Sequence, residues 1–208
     1  MSKQFWRETM KILVIGASGT IGSAVIKALQ SDHQIISANY NGGDVQVDLG
    51  NPESIKAMFD KTGSVDAVIS TAGLANFAPL NVLQDSDYQL ALNNKLMGQV
   101  NLVRVGREFI NKGGSITLTS GILARQPMPG SASISMVNGA LESFALAAAL
   151  EIESFRLNVV APAFVKETME MMGMDGTYGV SAADTAKAYV AAVTGNDHGR
   201  TLDVPDFL

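Results

Sequence analysis

"KILVIGASGTIGSAVIKALQ", Lys11 to Gln30, decides how this 208-residue chain is read. "KILVIG" (Lys11–Gly16) is a short apolar run of the kind that a parallel sheet buries on both faces. "TIGSAVIKALQ" then reads as a helix with Ile21, Val25, Ala28 and Leu29 on one face. Between the two, Gly16, Gly19 and Gly22 stand in a G-x-x-G-x-x-G spacing. Glycines at such a turn let the backbone bend tightly and approach an anion lying at the helix N-terminus. An ordinary βα turn also uses glycine. The strand–loop–helix context near the start of the chain favours a dinucleotide pyrophosphate.

The same alternation continues outward from this unit. "QIISAN" is a second strand, closed by the turn "NGGD", and "VQVDL" is a third. "NPESIKAMF" offers Asn51 as N-cap with Pro52 at the first helical position. "VDAVIST" is a fourth strand. A long helix is expected from about Ser86 to Ile110, ended by Gly113-Gly114. "SITLTS" is a fifth strand, Ser135 to Ser154 an alanine-rich helix, and "RLNVVAP" a sixth strand. "VSAADTAKAYVAAV" is a helix capped by Ser181, and "RTLDV" is a final strand. Strands alternating with helices, without repeat or linker, imply right-handed crossovers. The expectation is a single Rossmann-like α/β domain over residues 11–208, a doubly wound parallel sheet of about seven strands with helices on both faces. Residues 1–10 read as an N-terminal arm.

Composition narrows the chemistry. The chain has no cysteine, which excludes disulfides, thiolate catalysis and zinc–thiolate sites. The two histidines, His33 and His198, are far apart and expected in surface turns, so no metal site is expected. A net charge of −5 leaves no basic footprint for nucleic acid or anionic membrane. "MSKQFWRETMK" has no apolar leader pattern, and "FALAAALEI" is too short to span a bilayer. The expected location is cytoplasmic.

At the end of the second strand, where NAD sites usually carry an acid, the chain reads Ser37-Ala38-Asn39-Tyr40-Asn41. The missing carboxylate leans towards NADP over NAD, although no Arg or Lys is present to hold a 2′-phosphate.

With these residues in place the chain resembles the short-chain dehydrogenase/reductase family over nearly its whole length. Asp48 in "VDL" matches the family's adenine-contacting acid, and "STAG" (Ser70, Thr71, Ala72, Gly73) stands where the family has Asn-Asn-Ala-Gly. "GSITLTSG" matches its fifth strand, "NGALESFALAAALE" its active-site helix, and "RLNVVAPAFVKET" the segment beside the nicotinamide. The resemblance implies cofactor contacts at Gly16, Ser18, Gly19, Thr20, Ile21 and Gly22 in the glycine loop. It implies others at Asn39 and Tyr40, at Asp48 and Leu49, at Ser70 to Gly73, and at Pro162 and Val165. The glycine spacing is closer to that of extended and atypical members. More narrowly, the chain resembles a compact bacterial subgroup lacking the standard Asn-Ser-Tyr-Lys tetrad.

In the resembled family a Tyr moves the proton at the substrate oxygen, a Lys lowers that Tyr's pKa and binds the nicotinamide ribose, a Ser positions the oxygen, and an Asn completes a relay. Carried over by position, the Tyr falls on Ile134 and the Lys on Asn138. The Ser falls on Gly121, beside Ser120, and the Asn on Lys95, just after Asn93 and Asn94. Ile134 cannot transfer a proton and is expected to pack in the core. Asn138 could still hydrogen-bond a ribose hydroxyl through its amide. Lys95 is either a solvent-facing lysine or, partly buried, a proton donor. Ser120 is either a solvated turn hydroxyl or a substrate contact, and Arg125 and Gln126 are candidates for an anionic substrate.

Met169, Met171, Met172 and Met174 lie where the family places its substrate lid; they suit either an adaptable apolar cover or packing. The helix carrying Ala140, Phe144, Ala147 and Ala148 matches one that joins a symmetric interface in the family, implying a homodimer or homotetramer. Two functions lead, beside other chemistry on the same fold such as isomerisation or dehydration. One is an NAD(P)-dependent oxidoreductase acting on a small carbonyl or alcohol, its proton supplied by Lys95, Ser120 or water. The other is a catalytically inert NAD(P)-binding sensor or regulatory protein.

Overall fold

A computed structural model describes residues 9–208, so the arm expected over residues 1–10 lies almost wholly outside the described residues. The chain runs β1 (Lys11–Ile15), α1 (Thr20–Leu29), β2 (Gln34–Asn39), β3 (Val45–Gln46), α2 (Pro52–Thr62) and β4 (Val65–Ser70). Next come α3 (Asp85–Leu90), a π-helical turn (Ala91–Leu96), α4 (Met97–Gly106), β5 (Ile110–Thr119) and α5 (Ala132–Ala149). Then follow β6 (Arg156–Ala161), α6 (Lys166–Met171), α7 (Ala182–Thr194) and β7 (Thr201–Asp203). The seven strands form one sheet in the order β3-β2-β1-β4-β5-β6-β7, every pair parallel.

Strand periodicity divides the core in two. Leu13, Ile15, Val68, Ile116 and Leu157 point to the face covered by α2, α4 and α5, where they meet Met58, Phe59, Leu102 and Leu141. Ile12, Val14, Ala67, Ile69 and Val160 point to the other face and meet Val25 and Leu29 of α1 with Ala188, Tyr189 and Ala192 of α7. The order reverses between β1 and β4, leaving a crevice beyond their carboxyl ends, the usual ligand position in such sheets.

Both expected caps form: the Asn51 side chain accepts from Glu53 N at 3.0 Å, and Ser181 Oγ accepts from Asp184 N at 3.0 Å. Four boundaries differ from the sequence reading. The long helix stops at Gly106 rather than Ile110 and includes a π turn, and β5 starts at Ile110, with Val65 N donating to Phe109 O at 2.9 Å. Five residues from Ile110 to Gly114 therefore belong to a strand, irregular where the register with β4 shifts. The third strand shortens to Val45–Gln46, and the alanine-rich helix sits earlier, at Ala132–Ala149. Ala28 of α1 is exposed, so the buried face of that helix is Gly22, Val25 and Leu29.

His33 is buried, not in a surface turn; its Nδ1 accepts from Met10 N at 3.3 Å. His198 is exposed, and its Nδ1 accepts from Leu157 N at 3.1 Å. Both rings fasten backbone, and among the described residues no cluster could hold a metal.

Candidate active site

The glycine loop builds the crevice floor. Gly16 has φ +78°, and a Cβ on Gly22 would lie 2.1 Å from Gly16 O, so neither position admits a side chain without the loop shifting. α1 starts at Thr20 with no side chain capping its first turn, leaving its leading N–H groups for an anion. Beyond the loop opens a cleft of about 740 Å³.

The expected cofactor contacts divide by position. Gly16, Ser18 and Gly19, then Asn39 and Tyr40, Asp48 and Leu49, and Thr71 to Gly73 all line the cleft. Thr20, Ile21, Gly22 and Ser70 lie behind it in α1 and β4, and Pro162 and Val165 follow β6 on the far side. Asn41, Leu74 and Asn94 also line it, and the sequence reading did not single them out as contacts. Asn94 is held by its Oδ1, which accepts from Leu74 N at 2.9 Å.

Asn39 has a structural duty as well: its Oδ1 accepts from Ser18 N at 2.9 Å and Ser18 Oγ at 3.0 Å, tying the end of β2 to the glycine loop. Asp44 is turned away towards Ser37, whose backbone N–H and hydroxyl hold its carboxyl below the usual value. Among the described residues Asp48 is the only acid lining the cleft, and its Oδ1 accepts from Gly50 N at 2.8 Å. A glycine cradle and an uncapped helix start form a donor set that fits a dinucleotide pyrophosphate, and no acid stands at Asn39 or Tyr40.

Lys95 lies in the π turn, where Met97 N bonds Leu92 O, five residues back. Such turns cluster at functional sites because the extra residue reorients the side chains around it. Lys95 is not solvent-facing; it is 7% exposed, with Nζ 3.4 Å from both Thr119 O and Ser120 O. A Cβ on Gly73 would lie 2.8 Å from Lys95 Cγ, so this glycine leaves room for the stem to pass. Among the described residues no carboxylate lies within ion-pair distance of Nζ. Burial without a counter-charge pushes the amine down from its ordinary 10.5 to about 8.

Gln99, one turn on and fully buried, fixes this arrangement. Its Oε1 accepts from Thr119 N at 2.7 Å, and its Nε2 donates to Thr119 O at 2.9 Å and to Lys95 O at 3.2 Å. The pairing of β4 with β5 ends at Ile69 and Thr117, so the Gln99 amide takes up the edge that β4 leaves.

Ser120 immediately follows β5 and is buried, not a solvated turn hydroxyl. Its Oγ donates to Glu142 Oε1 at 2.9 Å, while Glu142 Oε2 lies 3.1 Å from Arg125 Nε. Arg125 also donates from NH1 to Asp203 Oδ2 at 2.8 Å and from NH2 to Asp203 Oδ1. The hydrogen bonds to Asp203 foremost, then the nearby Glu142 charge, hold the guanidinium above its ordinary value. Arg125 is thus committed to two carboxylates, which corrects its reading as an anion-binding candidate. Glu142 was missed; its spacing of four residues from Asn138 on one helix face was the available signal.

Asn138 is 1% exposed and among the described residues its Oδ1 has no partner, while a Cβ on Gly121 would stand 3.0 Å from its Nδ2. Lys95 therefore touches Ser120 and Asn138 packs against Gly121, the two neighbours in the turn after β5. Ile134, expected in the core, is only half-buried and stands outside both apolar clusters. In the lid segment, Glu167 Oε2 accepts from Ala182 N at 2.8 Å, and Met171 reaches Thr20 Oγ1 at 3.9 Å.

Comparison with known proteins agrees with this architecture. A family model described as Enoyl-(Acyl carrier protein) reductase matches residues 1–201. The crystal structure of the protein lin1944 from Listeria innocua is 41% identical, with a TM-score of 0.90 over 94% of this chain and 100% of that one. A small-chain dehydrogenase solved in complex with NADPH is 27% identical, with a TM-score of 0.84 over 94% of this chain and 96% of that one. The short-chain dehydrogenase/reductase ATR9 of Stachybotrys chlorohalonatus is 30% identical over 181 residues, which span 73% of this chain and 72% of the relative. With its glycine loop, parallel sheet and crevice matched along nearly the whole length, the chain belongs to the short-chain dehydrogenase/reductase family.

Proposed function

We propose that the protein is an NAD(P)-dependent oxidoreductase for small carbonyl or alcohol substrates in which Lys95 holds the proton that the family's Tyr would carry. One observation carries this reading: a lysine with no counter-charge, buried at the carboxyl end of β5 beside Ser120, with its amine pushed down to about 8. Such a group changes protonation near neutral pH, as a proton-transfer residue must. A bound dinucleotide supplies or receives the hydride. The chain's own residues do the rest. The uncapped turn of α1 and the glycine loop receive the pyrophosphate, and the unpartnered Oδ1 of Asn138 accepts from a ribose hydroxyl. Ser120 meets the substrate oxygen, and half-buried Ile134 adds apolar wall where the Tyr would stand.

NADP is favoured over NAD on the absence of a carboxylate at Asn39, Tyr40 and Asn41. The same reading takes the protein as a cytoplasmic homodimer or homotetramer. Its support for assembly is the outer side of α5, where Leu146 and the following Leu150 are 62% and 86% exposed.

The test is fluorescence titration with NADPH and NADH, then a panel of aldehydes, ketones and alcohols with wild type and Lys95→Ala. Binding with turnover that falls about 10²–10⁴-fold in the variant supports the reading. Binding without turnover in wild type favours the inert sensor instead, and turnover equal in both proteins removes Lys95 from the chemistry.

A further inference from the structure

We infer that Glu142 is a positioning residue for Ser120: it takes the only proton of that hydroxyl, so Ser120 meets a ligand as a hydrogen-bond acceptor and the site selects a hydroxyl over a carbonyl oxygen there. The inference rests on the proposed function for placing a ligand oxygen at Ser120. A serine hydroxyl has one proton to give and two lone pairs to receive with. That proton goes to Glu142 Oε1 at 2.9 Å. Among the described residues nothing donates back to Ser120 Oγ, so both its lone pairs are without a donor.

The carboxylate is not free to turn away. Its other oxygen is 3.1 Å from Arg125 Nε, and Asp203 holds the far side of the guanidinium through two further hydrogen bonds. Arg125, in the turn after β5, is itself held by Asp203 at the end of β7, so two elements fix the carboxylate that α5 presents. A hydrogen bond to an ionised acceptor is roughly twice as strong as a neutral one. A ligand carbonyl oxygen competing for the Ser120 proton would have to outbid Glu142 and leave that carboxylate short of a partner.

Lys95 supplies the complementary role. Its ammonium carries three donors, lies against the carbonyl of Ser120 and has only two long contacts at 3.4 Å. An alcohol oxygen can accept from Lys95 while its own proton goes to Ser120. A ketone oxygen can accept from Lys95 but presents lone pairs to lone pairs at Ser120. The ligand class is therefore an alcohol, with the matching carbonyl compound held more weakly.

Glu142→Gln should reverse this preference rather than merely weaken it. Arg125 Nε–H still requires the amide oxygen, so the amide N–H turns towards Ser120. Ser120 accepts it, and its own proton is released towards the ligand. The test measures cyclohexanol binding to the NADPH-loaded protein and cyclohexanone binding to the NADP⁺-loaded protein by saturation-transfer NMR; neither pair can turn over. Comparing the two dissociation constants as a ratio across variants cancels the difference in cofactor charge.

Wild type should favour the alcohol by about tenfold, Glu142→Gln should favour the ketone, and Ser120→Ala should show a ratio near one. A ratio that is the same in wild type and Glu142→Gln, including no preference in either, overturns the inference. So does a wild-type ratio that survives in Ser120→Ala. Thermal unfolding and NADPH fluorescence on the same samples separate the readings: loss of NADPH binding by wild type counts against the proposed function, whereas an unmoved ratio counts against the role of Glu142.

Discussion

Replacing Lys95 by methionine should stabilise the protein at neutral pH and destabilise it in strong alkali. Unfolded, the amine holds its proton up to 10.5; folded, it releases it at about 8. Between these values the unfolded chain binds more protons, so the contribution of this residue to stability rises with pH. That contribution is complete above 10.5 and is lost as the pH falls through about 8. At about 1.4 kcal/mol per pH unit, keeping the lysine charged and buried at pH 7 costs about 3 kcal/mol. Methionine fills a similar volume and removes that cost, but it deprives Ser120 O of its donor, worth about 1 kcal/mol. Thr119 O keeps its bond from Gln99. The net gain at pH 7 is about 2 kcal/mol, a rise in Tm of about 4–8 °C for a chain of this size. Above pH 10.5 the variant should instead be less stable by about 1 kcal/mol. Urea unfolding of both proteins at pH 7, 9 and 10.5 reads the difference directly. A variant less stable than wild type at pH 7, or a difference that does not vary with pH, would refute the account of Lys95 as a buried, uncompensated charge.

Three other outcomes follow from the geometry. On the proposed function, carbonyl reduction needs the Lys95 amine charged, so its rate should fall as pH rises through about 8, and in Lys95→Ala this limb of the pH–rate profile should disappear. Gly22→Ala would put a methyl group 2.1 Å from Gly16 O; it should lower stability by about 1–3 kcal/mol and abolish NADPH binding, and near-normal titration would show that the loop adapts. Leu146→Glu together with Leu150→Glu should convert the assembled species to monomer by light scattering while changing stability of the single chain by less than about 1 kcal/mol, since both side chains project outward; an unchanged mass would place the interface elsewhere.

The sheet was legible in the sequence because burial on two faces leaves uninterrupted runs such as "KILVIG" and "RLNVVAP". The glycine loop was legible because its spacing sits between a strand and a helix. The π turn was not, since "ALNNKL" has the spacing of an ordinary helix and the extra residue is a property of the hydrogen bonds. Nor did the pattern place Ile110 to Gly114 in a strand, because Gly113-Gly114 reads as a stop and the segment is held extended by distant partners, Val65 beside Ile110 and Ser154 O accepting from Gly113 N. At the site, Lys95 could be named as a candidate but its burial could not be read, as lysines on helices usually face water. The link from Arg125 to Asp203 joins residues 78 apart, and no local pattern announces it. That link is why a loop arginine that looked available for a ligand is already occupied.

The Gln99 amide behaves as one extra peptide unit laid along the edge of the sheet, giving and receiving with Thr119 as a neighbouring strand would. Because the same amide also holds Lys95 O, the position of the lysine is referenced to the sheet and not to the loops around the crevice. Gly73 aside, whose missing side chain lets the Lys95 stem pass, the segments after β4 and β6, which carry Phe77, Phe164 and the methionines, do not hold the ammonium. On the proposed function, substrate range and proton chemistry become separately adjustable parts, and a designer wishing to retarget the protein would rebuild those two segments and leave Gln99 and Gly73 alone.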